Sequence, residues 1–228
     1  MKNLISIGLP SKGRLKEGSI NFLEKNNLKL TSNGGERNYF AKIENYPNVE
    51  IIYLHAKEII QRLGDGTLDL GISGLDLLTE SPINLQKKIN VKQKLNFGMA
   101  NLVIAIPDDW IDVQTVADLE EVSFDFRDKK NTRLRVATKY PNLTNSFFVS
   151  KGVTQYKIVS SLGATETYPF IGSSEIITDI TSSGKTLQDN NLRVLKDGLI
   201  LNSTACLFVS KRSIKKTNIR NFLEKIKK

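Results

Sequence analysis

One cysteine and one histidine occur in the 228 residues. A single cysteine excludes a disulfide framework and a cysteine metal site. A single histidine, His55, leaves at most one candidate for a zinc site or a Ser-His-Asp triad. No apolar run reaches the roughly 18 residues that a membrane-spanning helix needs, so no membrane partner is expected. The N-terminus runs straight into Leu4-Ile5-Ser6-Ile7-Gly8, with no long apolar segment after a basic start. The expectation is therefore a soluble, cytoplasmic protein. Arg-rich runs and RNA-binding aromatic signatures are missing, so no nucleic-acid partner is expected. Internal repeats and low-complexity segments are missing too.

The chain is 39% hydrophobic and 25% charged, which suits one or two globular domains. Basic residues number 33 and acidic ones 24, a net charge of +9. Much of the excess lies at Lys211-Arg212, Lys215-Lys216 and Lys225 to Lys228. Such a balance suits anionic partners, phosphorylated metabolites among them. Cys206 sits in the apolar run Ala205-Cys206-Leu207-Phe208-Val209 and reads as a buried small hydrophobe.

Short apolar runs alternate with helical spacing. Strands are expected at Leu4 to Leu9, Val49 to Leu54, Leu68 to Gly74, Met99 to Ile106, Leu134 to Thr138, Tyr156 to Ser160 and Glu175 to Ile180. Helices are expected at Leu15 to Asn26, Lys57 to Leu63, from Leu75, at Val116 to Glu121, at Leu143 to Lys151 with Asn142 as cap, and at Ser213 to Lys228. Gly34 to Phe40 reads as a turn into a strand, and Asp125 to Arg133 as charged surface. Leu192 to Leu201 and Thr204 to Val209 read as two extended segments. The pattern predicts an α/β protein of two lobes with mainly parallel sheets and a cleft between them.

The most informative stretch is Glu175 to Leu187. It reads as a strand, Asp179 at the strand end, a loop Thr181-Ser182-Ser183-Gly184-Lys185-Thr186, and a helix start. Small residues let backbone approach a ligand, and N–H groups at a helix N-terminus attract anions. The hydroxyls add donors and Lys185 adds charge. Asp179 would repel a phosphate but suits ribose hydroxyls or Mg²⁺. A phosphate carrying a sugar fits best, although an ordinary strand–turn–helix corner has the same composition. Lys12-Gly13-Arg14 forms a second anion-binding corner at a strand's end, or a pair of plain surface charges. Asp76 reads as a helix cap or a ligand-facing acid.

Four segments occur in order: Leu9 to Leu15, Leu70 to Asp76, Ala137 to Thr144, and Asp179 to Leu187. Together they resemble ATP phosphoribosyltransferase, over Leu4 to about Val209. The resemblance implies the first step of histidine biosynthesis. ATP and phosphoribosyl pyrophosphate give phosphoribosyl-ATP and pyrophosphate, with Mg²⁺ as cofactor. It also implies a fold like type II periplasmic binding proteins. Lobe I would comprise 1–98 and 208–228, and lobe II 99–207 with the phosphoribosyl-phosphate loop. By the same resemblance Thr181, Ser182, Ser183, Gly184, Lys185 and Thr186 would hold the 5-phosphate. Asp179 and Glu166 would lie near the ribose hydroxyls. Lys12, Gly13 and Arg14 would meet pyrophosphate or ATP phosphates from the opposite lobe, and Lys12, Arg14, Glu166 and Asp179 are the expected catalytic residues. Arg37, Gly74, Asp76, Thr138, Lys139 and Tyr140 would complete the nucleotide site.

Three departures stand out. Thr178 precedes Asp179 where many phosphoribosyltransferases have a second acid, which matches this family's single-acid form. Asn190-Asn191 replaces the usual Asn-Gly, and asparagine tolerates the left-handed conformation. His55 stands in a segment unlike the family's and reads as a surface or supporting residue. The chain ends at Lys228, and the resemblance is to the short form. That form works as a homodimer within a hetero-oligomer with a subunit similar to histidyl-tRNA synthetase. The isolated chain is accordingly expected to be insensitive to histidine. Two other readings are a bilobal solute-binding protein and a phosphoribosyltransferase acting on another base.

Overall fold

A computed structural model describes residues 4–31 and 39–226. The chain divides into two compact units, Met1–Met99 with Thr204–Lys228, and Ala100–Ser203. Chain order gives unit 1 the strands and helices β1 (Ile5–Pro10), α1 (Gly13–Lys25), β2 (Leu30–Thr31), β3 (Phe40–Ile43), β4 (Tyr46–Leu54), α2 (Ala56–Asp65), β5 (Leu70–Gly74), α3 (Leu75–Glu80), α4 (Ile83–Gln86) and β6 (Ile89–Lys94). Unit 2 holds β7 (Ala100–Pro107), α5 (Val116–Lys130), β8 (Leu134–Thr138), α6 (Pro141–Ser150), β9 (Tyr156–Ser160), a 3-10 turn (Thr165–Thr167), β10 (Ile176–Thr181), α7 (Lys185–Asp189) and β11 (Leu192–Ser203). The chain then returns to unit 1 with β12 (Ala205–Ser210) and α8 (Thr217–Lys225).

The α/β class stands, but both sheets are mixed. Unit 1 has a seven-stranded sheet, β2-β3-β4-β1-β5-β12-β6, in which only β4-β1-β5 run parallel. Unit 2 has a five-stranded sheet, β11-β7-β10-β8-β9, in which β10-β8-β9 are parallel and β7 is antiparallel to both neighbours. Apolar runs report strands without reporting direction, and β7, β11 and β12 find their partners far along the chain. The return to unit 1 falls between Ser203 and Thr204 rather than after Leu207. The reason is pairing: Ala205 to Val209 lie antiparallel against Gly74 to Leu70.

Both faces of the unit 1 sheet are covered at its centre, which is why every residue of β5 and β12 is buried. Ile5, Ile7, Leu9, Leu70, Ile72, Leu207 and Val209 pack on one side with α8. On the other side Cys206 and Phe208 meet Ile59, Ile60 and Leu63 of α2. That helix comes close because β1 and β5 are small on this face. A Cβ built on Gly71 would lie 2.5 Å from Ile59 Cγ2. In unit 2, Leu119 and Phe126 of α5 and Phe148 of α6 cover Ile104, Val136 and Ile176. The charged stretch read as surface is in part the last turns of α5. A capping box, Thr115 with Asp118, opens that helix, and Asn131 at φ 50 closes it. Helix α6 begins two residues earlier than its apolar spacing suggests, with Pro141 at its first position and Tyr140, not Asn142, as N-cap.

Asp69 fastens α8 to the sheet. At 5% exposure it accepts the Ser6 N–H (3.0 Å), the Ser6 and Ser213 hydroxyls, and Lys216 Nζ (2.9 Å). Burial alone would raise its pKa, but the Lys216, Ser213 and Ser6 hydrogen bonds bring it below the ordinary carboxylate value. A lowered pKa stabilises above the unfolded value, and that stability is lost as pH falls through the folded value. Asp69→Ala should therefore lower stability by about 1–3 kcal/mol at neutral pH, the cost of stranding its donors. In acid unfolding titrations the variant and wild-type curves should converge.

Candidate active site

The phosphate-type loop lies where strand β10 ends. Thr181, Ser182, Ser183, Gly184, Lys185 and Thr186 are exposed or half-buried. Gly184 has φ 75, ψ −10, and nothing lies within 4 Å of a Cβ built on it. The loop's N–H groups are not all free, as the anion-binding reading supposed. Gly184 N–H donates to the Thr181 hydroxyl (2.9 Å) and Lys185 N–H to that of Ser183 (3.4 Å). These hydroxyl oxygens are engaged as acceptors, so their own hydrogens can be turned to a ligand. Helix α7 has five residues and adds little dipole of its own.

Beside the loop stands the half-buried Asp179. Burial raises its pKa, the Ile180 N–H (2.8 Å), Lys139 and the Thr165 hydroxyl oppose the rise, and Glu166 adds to it. Asp179 and Glu166, far apart in sequence, are thus close enough to feel each other's charge. Thr165, which the motif reading passed over, joins them. Its hydroxyl also meets Ser161 at 2.8 Å. Just before the turn that carries Glu166, Ala164 takes the left-handed φ 44, ψ 47. Two bonds to its carbonyl, from Thr167 N–H (3.0 Å) and the Thr167 hydroxyl (2.8 Å), hold that strained residue.

Strand alternation explains the single acid. Thr178 and Asp179 point to opposite faces. Thr178 is fully buried and bonded to Thr138 and Thr144, so a second carboxylate there would be buried among hydroxyls. Thr138 and Tyr140 are buried and Lys139 is exposed, at the end of β8 beside β10. Asn191 takes φ 53, the left-handed turn that asparagine can supply in place of glycine.

In unit 1, Lys12, Gly13 and Arg14 are exposed where β1 ends. Ser11 N–H, donating to the Leu54 carbonyl at 2.8 Å, fixes that loop, and Gly13 has φ 71. Asp76 does not cap α3: Gly74 is the N-cap and Asp76, at 6% exposure, lies inside the first turn. A Cβ on Gly74 would fall 2.3 Å from Asp76 Oδ1, so the carboxylate folds over bare backbone. Burial and Asp76 raise the Cys206 thiol to about 11, against Lys94, which leaves it an inert core group. His55 caps α2, its Nδ1 accepting Lys57 N–H at 3.3 Å. Arg37, and the turn expected at Gly34 to Asn38, lie outside the described residues.

The model of the HisG family, ATP phosphoribosyltransferase, matches residues 55–228. The ATP phosphoribosyltransferase of Mesorhizobium japonicum is 46% identical over 211 residues, covering 92% of this chain and 91% of that one. The chain belongs to the HisG family of ATP phosphoribosyltransferases. Among solved structures, a chain of the HisG:HisZ complex from Thermotoga maritima matches with TM-score 0.74 and 24% identity, over 98% of this chain and 96% of that one. The alkanesulfonate-binding protein SsuA from Xanthomonas axonopodis pv. citri matches with TM-score 0.50 and 14% identity, over 98% and 72%. A chain of the HisG:HisZ complex and a binding protein thus share this fold, as expected for a type II periplasmic-binding-protein architecture. Among the described residues no helix is long and apolar enough to cross a membrane.

Proposed function

We propose that this HisG-family chain transfers the phosphoribosyl group of phosphoribosyl pyrophosphate to N1 of ATP, releasing pyrophosphate, in the cytoplasm. The observation that carries the reading is the Asp179–Glu166 carboxylate pair beside an open loop of hydroxyls. Thr181 to Thr186 take the 5-phosphate, and Asp179 and Glu166 the ribose hydroxyls. Lys12, Gly13 and Arg14 take pyrophosphate or ATP phosphates. Gly74, Asp76, Thr138, Lys139 and Tyr140 serve the nucleotide, Gly74 and Asp76 by shaping the β5 end. The adenine N1 lone pair forms the new bond to ribosyl C1 as the C1–O bond to pyrophosphate breaks. Such a step needs alignment and charge stabilisation rather than a covalent nucleophile. That suits a chain whose one thiol is buried and whose one histidine caps a helix.

Mg²⁺ fits this donor set. Among the described residues no group of three His, Cys, Asp or Glu could hold a metal alone. Magnesium is commonly held by one or two carboxylates together with substrate phosphates, which Asp179 and Glu166 would supply. When bound, it would neutralise charge on the departing pyrophosphate. We further propose a homodimer as the catalytic unit and a hetero-oligomer with a partner similar to histidyl-tRNA synthetase; the HisG:HisZ complex of Thermotoga maritima supports the hetero-oligomer.

Pyrophosphate release on mixing the protein with both substrates tests the reaction, and its failure would overturn the reading. A panel of bases in place of ATP checks the acceptor. In the same assay Arg14→Ala and Arg14→Lys should both lose about ten- to a hundredfold in kcat/KM with unchanged melting, since lysine does not replace a bidentate phosphate contact. Full activity in Arg14→Ala would return Lys12 and Arg14 to plain surface.

A further inference from the structure

We propose that three buried threonines of unit 2 form a one-way hydrogen-bond chain that fixes the Thr138 hydroxyl as a donor to an oxygen of the bound nucleotide. Thr144 and Thr178 are then positioning residues that do not touch the substrate. The inference rests on the ATP reading above and adds to it the device that orients one contact.

Thr138, Thr144 and Thr178 are 1%, 0% and 0% exposed. They come from the end of β8, from α6 and from β10. The Thr178 hydroxyl donates to Thr138 Oγ1 at 2.7 Å. A hydroxyl has one hydrogen, so in the 2.7 Å contact between Thr144 and Thr178 the donor is Thr144. Thr138 Oγ1 also accepts the Tyr140 N–H at 2.9 Å. Both lone pairs of Thr138 are therefore filled, and it can act only as a donor. Its own hydrogen has no acceptor among the described residues. Thr138 closes β8 at the C-terminal end of a parallel strand, the end at which α/β sheets meet ligands. A substrate phosphate or ribose oxygen is the acceptor this geometry awaits.

Stability alone does not explain three hydroxyls here. Valine has nearly the same shape and would pack without desolvating a polar group. Replacing both partners of a buried hydrogen bond by apolar groups can be neutral or stabilising. What the hydroxyls supply is direction, and each link polarises the next.

Thr178→Val removes the donor to Thr138 and keeps the shape. The KM for ATP should rise about tenfold while kcat stays within about threefold, the value of one oriented hydrogen bond. Thr178→Ser should restore the wild-type KM. Thr144→Val should have a smaller effect that does not add to that of Thr178→Val. The double variant Thr144→Val/Thr178→Val, with both partners apolar, secures a folded protein if the single one melts early. Val136→Ala, a buried change on the same strand, should lower the melting temperature and leave KM unchanged. A wild-type KM for ATP in the valine variants, a rise that serine does not restore, or a rise confined to phosphoribosyl pyrophosphate would overturn the proposal. Direct ATP titration into wild type and Thr178→Val reads the same contrast without turnover. A wild-type protein that releases no pyrophosphate would thus count against the reaction alone.

Discussion

Asp179→Asn is expected to lower kcat/KM by about a hundredfold or more and to melt at or above the wild-type temperature. The loss has the size of removing a preorganised charged partner from a transition state with oxocarbenium character. The gain in stability follows from the raised pKa, whose first cause is burial. A carboxyl whose folded pKa lies above its unfolded value binds its proton more tightly in the folded state. Stability from this group is fully present below the unfolded value and is lost as pH rises through the folded one. At neutral pH the ionised Asp179 therefore costs stability, and a neutral asparagine of the same shape removes that cost. Melting curves at neutral pH and at about pH 4, near the ordinary carboxylate value, check the sign, because the difference between variant and wild type should shrink in acid. Retained activity would remove Asp179 from the site. Lost activity with a lower melting temperature would make it a structural residue.

Gly184→Val is the second large effect. Gly184 sits at φ 75, a genuine outlier for a β-branched residue, at about 1–3 kcal/mol of backbone strain. The space beside it is empty of protein atoms, so no clash within the fold adds to this. Any further loss of phosphoribosyl pyrophosphate binding reports a ligand in that space. Gly184→Asn separates the two causes, since asparagine tolerates the left-handed region. It should melt within a few degrees of wild type yet bind phosphoribosyl pyrophosphate at least about tenfold more weakly, a loss of about 1.4 kcal/mol. Calorimetric titration of that substrate measures it. Wild-type affinity in Gly184→Asn would show that the loop's backbone is not approached.

Much of the fold was legible because the central strands are continuous apolar runs. Leu70 to Gly74 and Ala205 to Ser210 are buried on both faces, and such strands need no partner to be recognised. Strand β6, Ile89-Asn90-Val91-Lys92-Gln93-Lys94, was missed for the opposite reason. It lies at a sheet edge with Val91, Lys92 and Lys94 exposed, so its polar residues hide it. Edge strands carry charge because an unpaired, apolar edge invites association. The residues of the β10 loop were legible from composition and order, and so was the left-handed tolerance of Asn191.

The sequence by itself determined which residue types stand at the strand ends: the acid, the hydroxyls, the glycines and the cations. It also determined, by the period of two, that Thr178 and Asp179 must face opposite ways. Only the tertiary structure decided which of those faces was the core. That choice rests on Thr138 and Thr144 meeting Thr178 across two other elements. Tertiary structure also brought Glu166 and Thr165 to Asp179. Each of these depends on contacts between segments distant in the chain, on which local spacing is silent. A hydroxyl or carboxylate takes its role from the partner that folding places within about 3 Å.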